Sequence, residues 1–198
     1  MFFEAVAIGL LIGYIRGGRM LNIGNMHIRG WILIIVSFIL QTLPIFLSAI
    51  PVVDTYGHVI SFTAMMIMLI VVIINIDKKG FWLVALGAIM NILAMGFNGL
   101  LMPVNLEGFS YIGLSDIVEG VKSGEVINYI SLEYVSDWTQ NLGKMITLPK
   151  YYPLAKVISL GDLVMSLGVF WFTQSEMLEA YHFKSRSKMV HYSINSKW

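Results

Sequence analysis

Cysteine is absent from the 198 residues, which excludes disulfides, thiolate nucleophiles, iron–sulfur clusters and thiolate zinc sites whichever compartment the loops face. Charge is also scarce. Asp, Glu, Lys and Arg make up 13% of the chain, about half of the roughly 25% usual in a soluble domain. Thirteen basic residues against 12 acidic ones leave a net charge of +1, so there is no basic footprint for nucleic acid. With five prolines and no low-complexity tract, wholesale disorder is not expected. The sequence also lacks a Ser-His-Asp order, a His-Glu-x-x-His motif and any pairing of His with carboxylate inside one helix, which argues against protease and di-metal chemistry. His58 with Asp54 is an incomplete metal site, and His182 and His191 have no ligand spacing, so neither metal nor cofactor is expected.

Apolar residues are what the chain has in abundance. They account for 57% of it, at a mean hydropathy of +0.76, in runs too long for a core that must also be wrapped in polar surface. The bilayer is the solvent this composition predicts. A crossing helix needs about 20 apolar residues, and Trp31–Pro51, Tyr56–Ile76, Phe81–Leu101 and Val157–Gln174 come close to that length. Met1–Ile15 is shorter. Its basic residues, Arg16 and Arg19, follow the apolar run, the reverse of a signal peptide, so it reads as an uncleaved first helix.

Basic residues in short loops mark the cytoplasmic side. Arg16, Arg19 and Arg29 precede the second run, Lys78 and Lys79 precede the fourth, and Lys184, Arg186, Lys188 and Lys197 lie in the tail. The expected fold is therefore all-α: a polytopic bundle of five transmembrane helices in the cell membrane, N-terminus outside and C-terminus cytoplasmic. In this reading residues 1–175 form the membrane domain and 176–198 a basic cytoplasmic tail suited to anionic headgroups. The extracellular segment 102–156 is too long for a structureless loop and is expected to form a helical cap. Ser115 is its expected N-cap, with Glu119 in the next turn and Gly124 as the stop, and Ile127, Ile130, Tyr134 and Trp138 recur at helical spacing. Tyr129, Tyr151 and Tyr152 add aromatic rings suited to a headgroup region.

Four local patterns occur in order: Arg16-Gly17-Gly18-Arg19, Asn98-Gly99 with Met102-Pro103-Val104, Leu142-Gly143 with Pro149, and Ser159-Leu160-Gly161-Asp162 before Phe170-Trp171. Over residues 1 to about 175 the chain thereby resembles an uncharacterised family of small multi-pass membrane proteins of Gram-positive bacteria, a domain of unknown function. It departs from that pattern at Leu100 and Leu101, where a Gly and an Arg are usual, and at Lys144, where an acidic residue is usual. The resemblance implies topology and origin and carries no activity.

Polar groups at bilayer depth face protein or water. Asp162, Asn98 and Glu4 share one depth near the outer face, and Asn91 lies two turns deeper on the same side of its helix as Asn98. They form a candidate outward polar pocket with Asp162 as its charged centre. The competing reading is interhelical glue, with glycines permitting close approach. Arg16, Gly17, Gly18, Arg19 and Arg29 are candidate contacts for lipid phosphate, against the alternative of a basic turn at the interface. Met65, Met66 and Met68 read as ordinary gap-filling residues.

Three functional classes follow. A non-enzymatic sensor, scaffold or accessory subunit needs the fewest special residues and leads. Its expected partners are the bilayer and a membrane or cytoplasmic protein, with a second copy of the chain as a further candidate. A small-solute transporter or channel would require an oligomer, since no inverted repeat is visible. An enzyme acting on lipid or isoprenoid phosphate would use Asp162, Asn98 and Glu4, although the usual cluster of acidic groups at one depth is missing.

Overall fold

The computed structural model describes residues 1–24, 26–47, 50–126, 128–149, 151 and 155–195, with backbone alone at 45, 54 and 180–195. The expectations for Ile127, Tyr152 and Lys197, and for the side chains of Asp54, His182, Lys184, Arg186, Lys188 and His191, lie outside what is described.

Helix α9, Leu160–Asn195, is the spine. Helix α1, Phe2–Ile15, runs parallel to it, Gly9 meeting Thr173 and Gly13 meeting Met177. The short α2, Met20–Gly24, packs beside the same stretch of α9. Helix α5, Phe81–Gly96, crosses α9 antiparallel, with Gly80 against Gly168 and Gly87 against Gly161. Glycine recurs every seven residues on both strands of this contact, and it lets the backbones touch where any Cβ would collide.

Helices α3, Trp31–Phe46, and α4, Pro51–Ile74, form a hairpin. Ser37 Oγ donates to Ala64 O at 2.8 Å. At the other end the buried Asn75 accepts from Arg29 N and donates to Arg29 O, each at 2.8 Å. Gly30 and Gly80 sit at φ 75° and 89° immediately before α3 and α5, so each helix starts sharply out of a left-handed residue.

The chain after α5 turns through Gly99 and Leu100 at φ 64° and 67° into a small mixed sheet of order β2-β1-β3-β4. The strands are β1 Met102–Val104, β2 Tyr129–Ser131, β3 Lys144–Thr147 and β4 Val157–Ser159. β1 pairs parallel with β2, in register Met102 to Tyr129, and parallel with β3 at Val104 to Lys144. β3 pairs antiparallel with β4, Lys144 opposite Ser159. Between the strands lie α6, Leu106–Tyr111, α7, Ser115–Ser123, a 3-10 turn at Leu132–Tyr134 and α8, Asp137–Gln140. Ala94, Met95, Met102, Val104, Phe109, Val118 and Val157 form one buried cluster, so the end of α5, the sheet and α6–α7 share a core.

The expected five-span all-α bundle is not what forms. Among the described residues one helix, Thr55–Ile74, is long and apolar enough to cross a membrane, while Phe2–Ile15, Trp31–Pro44 and Phe81–Gly96 are shorter. At 1.5 Å per residue, 14 to 16 residues cover about 21–24 Å of a roughly 30 Å hydrocarbon core. The apolar runs overstate helix length because they ignore where the backbone turns. Trp31–Pro51 breaks after Phe46, Phe81–Leu101 stops at Gly96, and Val157–Gln174 is a strand for its first three residues and then a helix that continues well past Gln174.

The segment 102–156 is likewise not a helical cap, since three of the four strands come from it. Helix α7 stands where expected and ends at Gly124 in the left-handed region (φ 81°), but its N-cap is Leu114, with Ser115 the first helical residue. The spacing from Ile130 to Trp138 belongs to a strand, a 3-10 turn and the start of α8.

Candidate functional site

Where β4 passes into α9 without a loop, four hydrogen bonds close a polar joint. Ser159 and Asp162 stand three residues apart at the helix start and form a reciprocal capping box. Asp162 N donates to Ser159 Oγ at 2.9 Å, and Ser159 N donates to Asp162 Oδ2 at 3.2 Å. Asn91 of α5 completes the ring. Its Nδ2 donates to Asp162 Oδ1 at 2.9 Å, and its Oδ1 accepts from Ser159 Oγ at 2.7 Å. Asn91 and Ser159 are buried and Asp162 is half-buried. Asn91 reaches this position because Gly161 has no side chain: a Cβ there would collide with Asn91 Oδ1 and come within 2.6 Å of Gly87 O. Inside this ring a half-buried carboxylate, a buried amide and a buried hydroxyl satisfy one another, as polar groups removed from water must.

Of the four residues expected to share a pocket, Asn91 and Asp162 meet directly. Asn98 turns back on its own helix, donating to Ala94 O at 2.6 Å. Glu4 instead meets Lys156, which donates to its Oε1, and the N-terminal ammonium, 2.5 Å from its Oε2. Those two cations pair with both oxygens of the Glu4 carboxylate and hold it against the segment that leads into β4. Ser159, Gly161 and Lys156 are the participants that residue-type reasoning passed over. The Ser-x-x-Asp spacing just before an apolar run was the readable signal for the first.

The basic candidates are held by different partners. The Arg16 guanidinium donates to Gln174 Oε1. Gly17, at φ 85°, and Gly18, whose N–H donates to Gly13 O at 2.8 Å, make the turn that brings Arg19 N to Met177 O at 3.1 Å. Asn22 Nδ2 reaches the same carbonyl at 2.6 Å. Arg29 is tied to Asn75 and makes an exposed contact with Asp77 at 3.4 Å. Beside this end of α9, Lys78 and the buried Glu176 pair at 3.1 Å. Polar clusters thus stand at two levels of α9, around Ser159–Asp162 and around Gln174–Met177. Among the described residues no group of three or more His, Asp or Glu is placed to hold a metal ion.

No curated protein and no solved structure matches the chain. Residues 25–174, which include α3, α4, α5, the sheet and the Asn91–Ser159–Asp162 joint, match one family, and the chain belongs to that family, a family of unknown function (DUF5317).

Proposed function

We propose that the chain is a membrane-embedded, non-enzymatic sensor or scaffold that holds its small sheet and the flanking helices α6–α8 at one face of the bilayer. The observation that carries this reading is the outward apolar surface of the helices. Phe3 is 85% exposed, Leu21 78% and Phe46 79%, and Trp31, Ile35, Phe38 and Ile39 repeat along the outer side of α3. A contiguous surface of this kind needs lipid or protein to cover it. Lipid is favoured by Thr55–Ile74, whose 20 apolar-rich residues span about 30 Å, the thickness of a hydrocarbon core, beside two polar levels on α9, at Ser159 and Glu176, that stand about 26 Å apart. The level holding Arg16, Arg19, Arg29 and Lys78 would face the cytoplasm, and the sheet would face outward.

Alkaline carbonate extraction of membranes from expressing cells tests the embedding. The chain should stay with the membrane pellet, and quantitative release into the supernatant would overturn the proposal. The absence of native cysteine makes the orientation testable on the same sample. A single cysteine at Ser136, on the sheet side, should react with a membrane-impermeant maleimide in intact cells, and one at Lys79 should not.

A further inference from the structure

The small sheet has one open edge. In the order β2-β1-β3-β4 the outer strands are β2 and β4, and β4 is buried along its whole length while β2 is half-buried at Tyr129 and Ile130. The register of β2 fixes what that edge presents. Met102 lies opposite Tyr129, and Met102 N donates to Asn128 O at 3.0 Å. Parallel pairing alternates along the strand, so Ile130 turns its N–H and C=O toward β1, and Tyr129 and Ser131 turn theirs away from it. Among the described residues no other backbone group meets those outward groups.

A cleft of about 270 Å³ lies along this edge. Its wall takes in Tyr129, Ile130 and Ser131 in succession and no residue of β1, whereas a cleft on a face of the sheet would meet alternate residues and the neighbouring strand. Leu106, Val121 of α7 and Tyr134 complete it with apolar surface. None of the usual protections of an edge is present, since β2 contains no proline, lysine or bulge. What such an edge recognises is backbone. Outward N–H and C=O groups two residues apart, about 6.6 Å along the strand, match the repeat of another extended chain, and an added strand continues the ladder that β1 and β2 already form. The wall supplied by α7 admits a single extended segment and obstructs a second folded sheet.

We propose that the cleft between β2 and α7 binds an extended, apolar peptide segment of a partner protein as a fifth strand beside β2. Tyr129 and Ser131 bond its backbone, and Leu106, Val121 and Tyr134 receive its apolar side chains. The inference gives the scaffold reading a partner class and does not depend on membrane embedding, which the carbonate extraction reports separately.

Ser131 makes the test selective. Its backbone sits at φ −64°, the value proline requires, and its N–H takes no part in the β1 ladder, so Ser131→Pro removes an edge donor and keeps the strand. Ser131→Ala loses the same hydroxyl, with its contact to Glu133 N, and retains the N–H. Isothermal titration of the full chain in mild detergent with acetyl-Thr-Val-Thr-Val-Thr-amide should show saturable binding to the wild type and to Ser131→Ala. Binding to Ser131→Pro should be about tenfold weaker, the loss of one backbone hydrogen bond. The same peptide methylated on every backbone nitrogen keeps its side chains and should not bind. In residue-resolved hydrogen exchange the Tyr129 and Ser131 amides should exchange fast in the free chain and slowly once the peptide is added, while Ile130 stays protected throughout. Three results would overturn the proposal: no saturable binding of the unmethylated peptide, equal affinity of Ser131→Pro and Ser131→Ala, or protection of Tyr129 and Ser131 that rises with protein concentration without peptide, the mark of a second copy at this edge.

Discussion

Gly161 and Gly87 meet backbone to backbone where α9 crosses α5, a Cβ on Gly161 falling only 2.6 Å from the Gly87 carbonyl oxygen. Seven residues along each helix the arrangement repeats, a Cβ on Gly168 falling 2.6 Å from Gly80 O. Two such contacts in register fix both the separation and the rotation of the pair, and the amide of Asn91 reaches α9 only because the first of them is closed.

Gly161→Ala should therefore separate the helices and loosen the polar joint together. Overpacking of this kind costs about 1–3 kcal/mol, and the lost hydrogen bonds add to it. Thermal unfolding of the detergent-solubilised chain should show a clear drop in melting temperature. Gly96→Ala, whose Cβ would meet nothing within 4 Å, should leave the melting temperature nearly unchanged. Equal melting temperatures for the two variants would show that the crossing is not close-packed.

The ring at the joint predicts non-additivity. Ser159→Ala removes a cap and leaves Asn91 Oδ1 without its donor, at about 1–2 kcal/mol. Asp162→Asn replaces an acceptor with a group that points a donor at another donor, at a similar cost. Because the two residues serve the same box, the double variant should lose less than the sum, with a coupling of about 0.5–2 kcal/mol. A double-mutant cycle by denaturant unfolding measures it, and simple additivity would show that the reciprocal bonds do not operate.

Glu4 ties α1 to the segment just before β4. Its carboxylate accepts from Lys156 and pairs with the N-terminal ammonium, and both side chains are partly buried. Glu4→Gln should lower the melting temperature of the detergent-solubilised chain, by about 1–3 kcal/mol in stability, because Lys156 keeps its charge and loses its carboxylate. Lys156→Met in the Glu4→Gln background should then cost little more, and full additivity of the two changes would show that the pair does not act as a unit.

Local signals in the sequence were reliable where the chemistry is local. Gly124 ends α7 as its conformational freedom suggests, Asn91 and Asp162 were readable as polar groups needing a protein partner, and the core of α4 was legible from an uninterrupted apolar run. The sheet was not legible. Strands of three or four residues are too short to show a period of two, and β1 finds its partners 27 and 40 positions away, at Tyr129 and Lys144, where no local pattern reaches. Val157–Ser159 is apolar enough to merge with the helix that follows it, and only the Ser-x-x-Asp cap marks the boundary. Leu100 is instructive in another way. The resemblance expects glycine there, and the backbone adopts φ 67°, so the turn keeps a glycine conformation under a residue that fits it poorly.

The direct passage of β4 into α9 has a mechanical meaning. With no loop between Ser159 and Leu160, one uninterrupted backbone joins the sheet to the stretch of α9 that Gly87, Gly80 and Asn91 clamp. The strand is thereby a bracket bolted to the helix crossing, and the position of the sheet is set by the same contacts that set the helices.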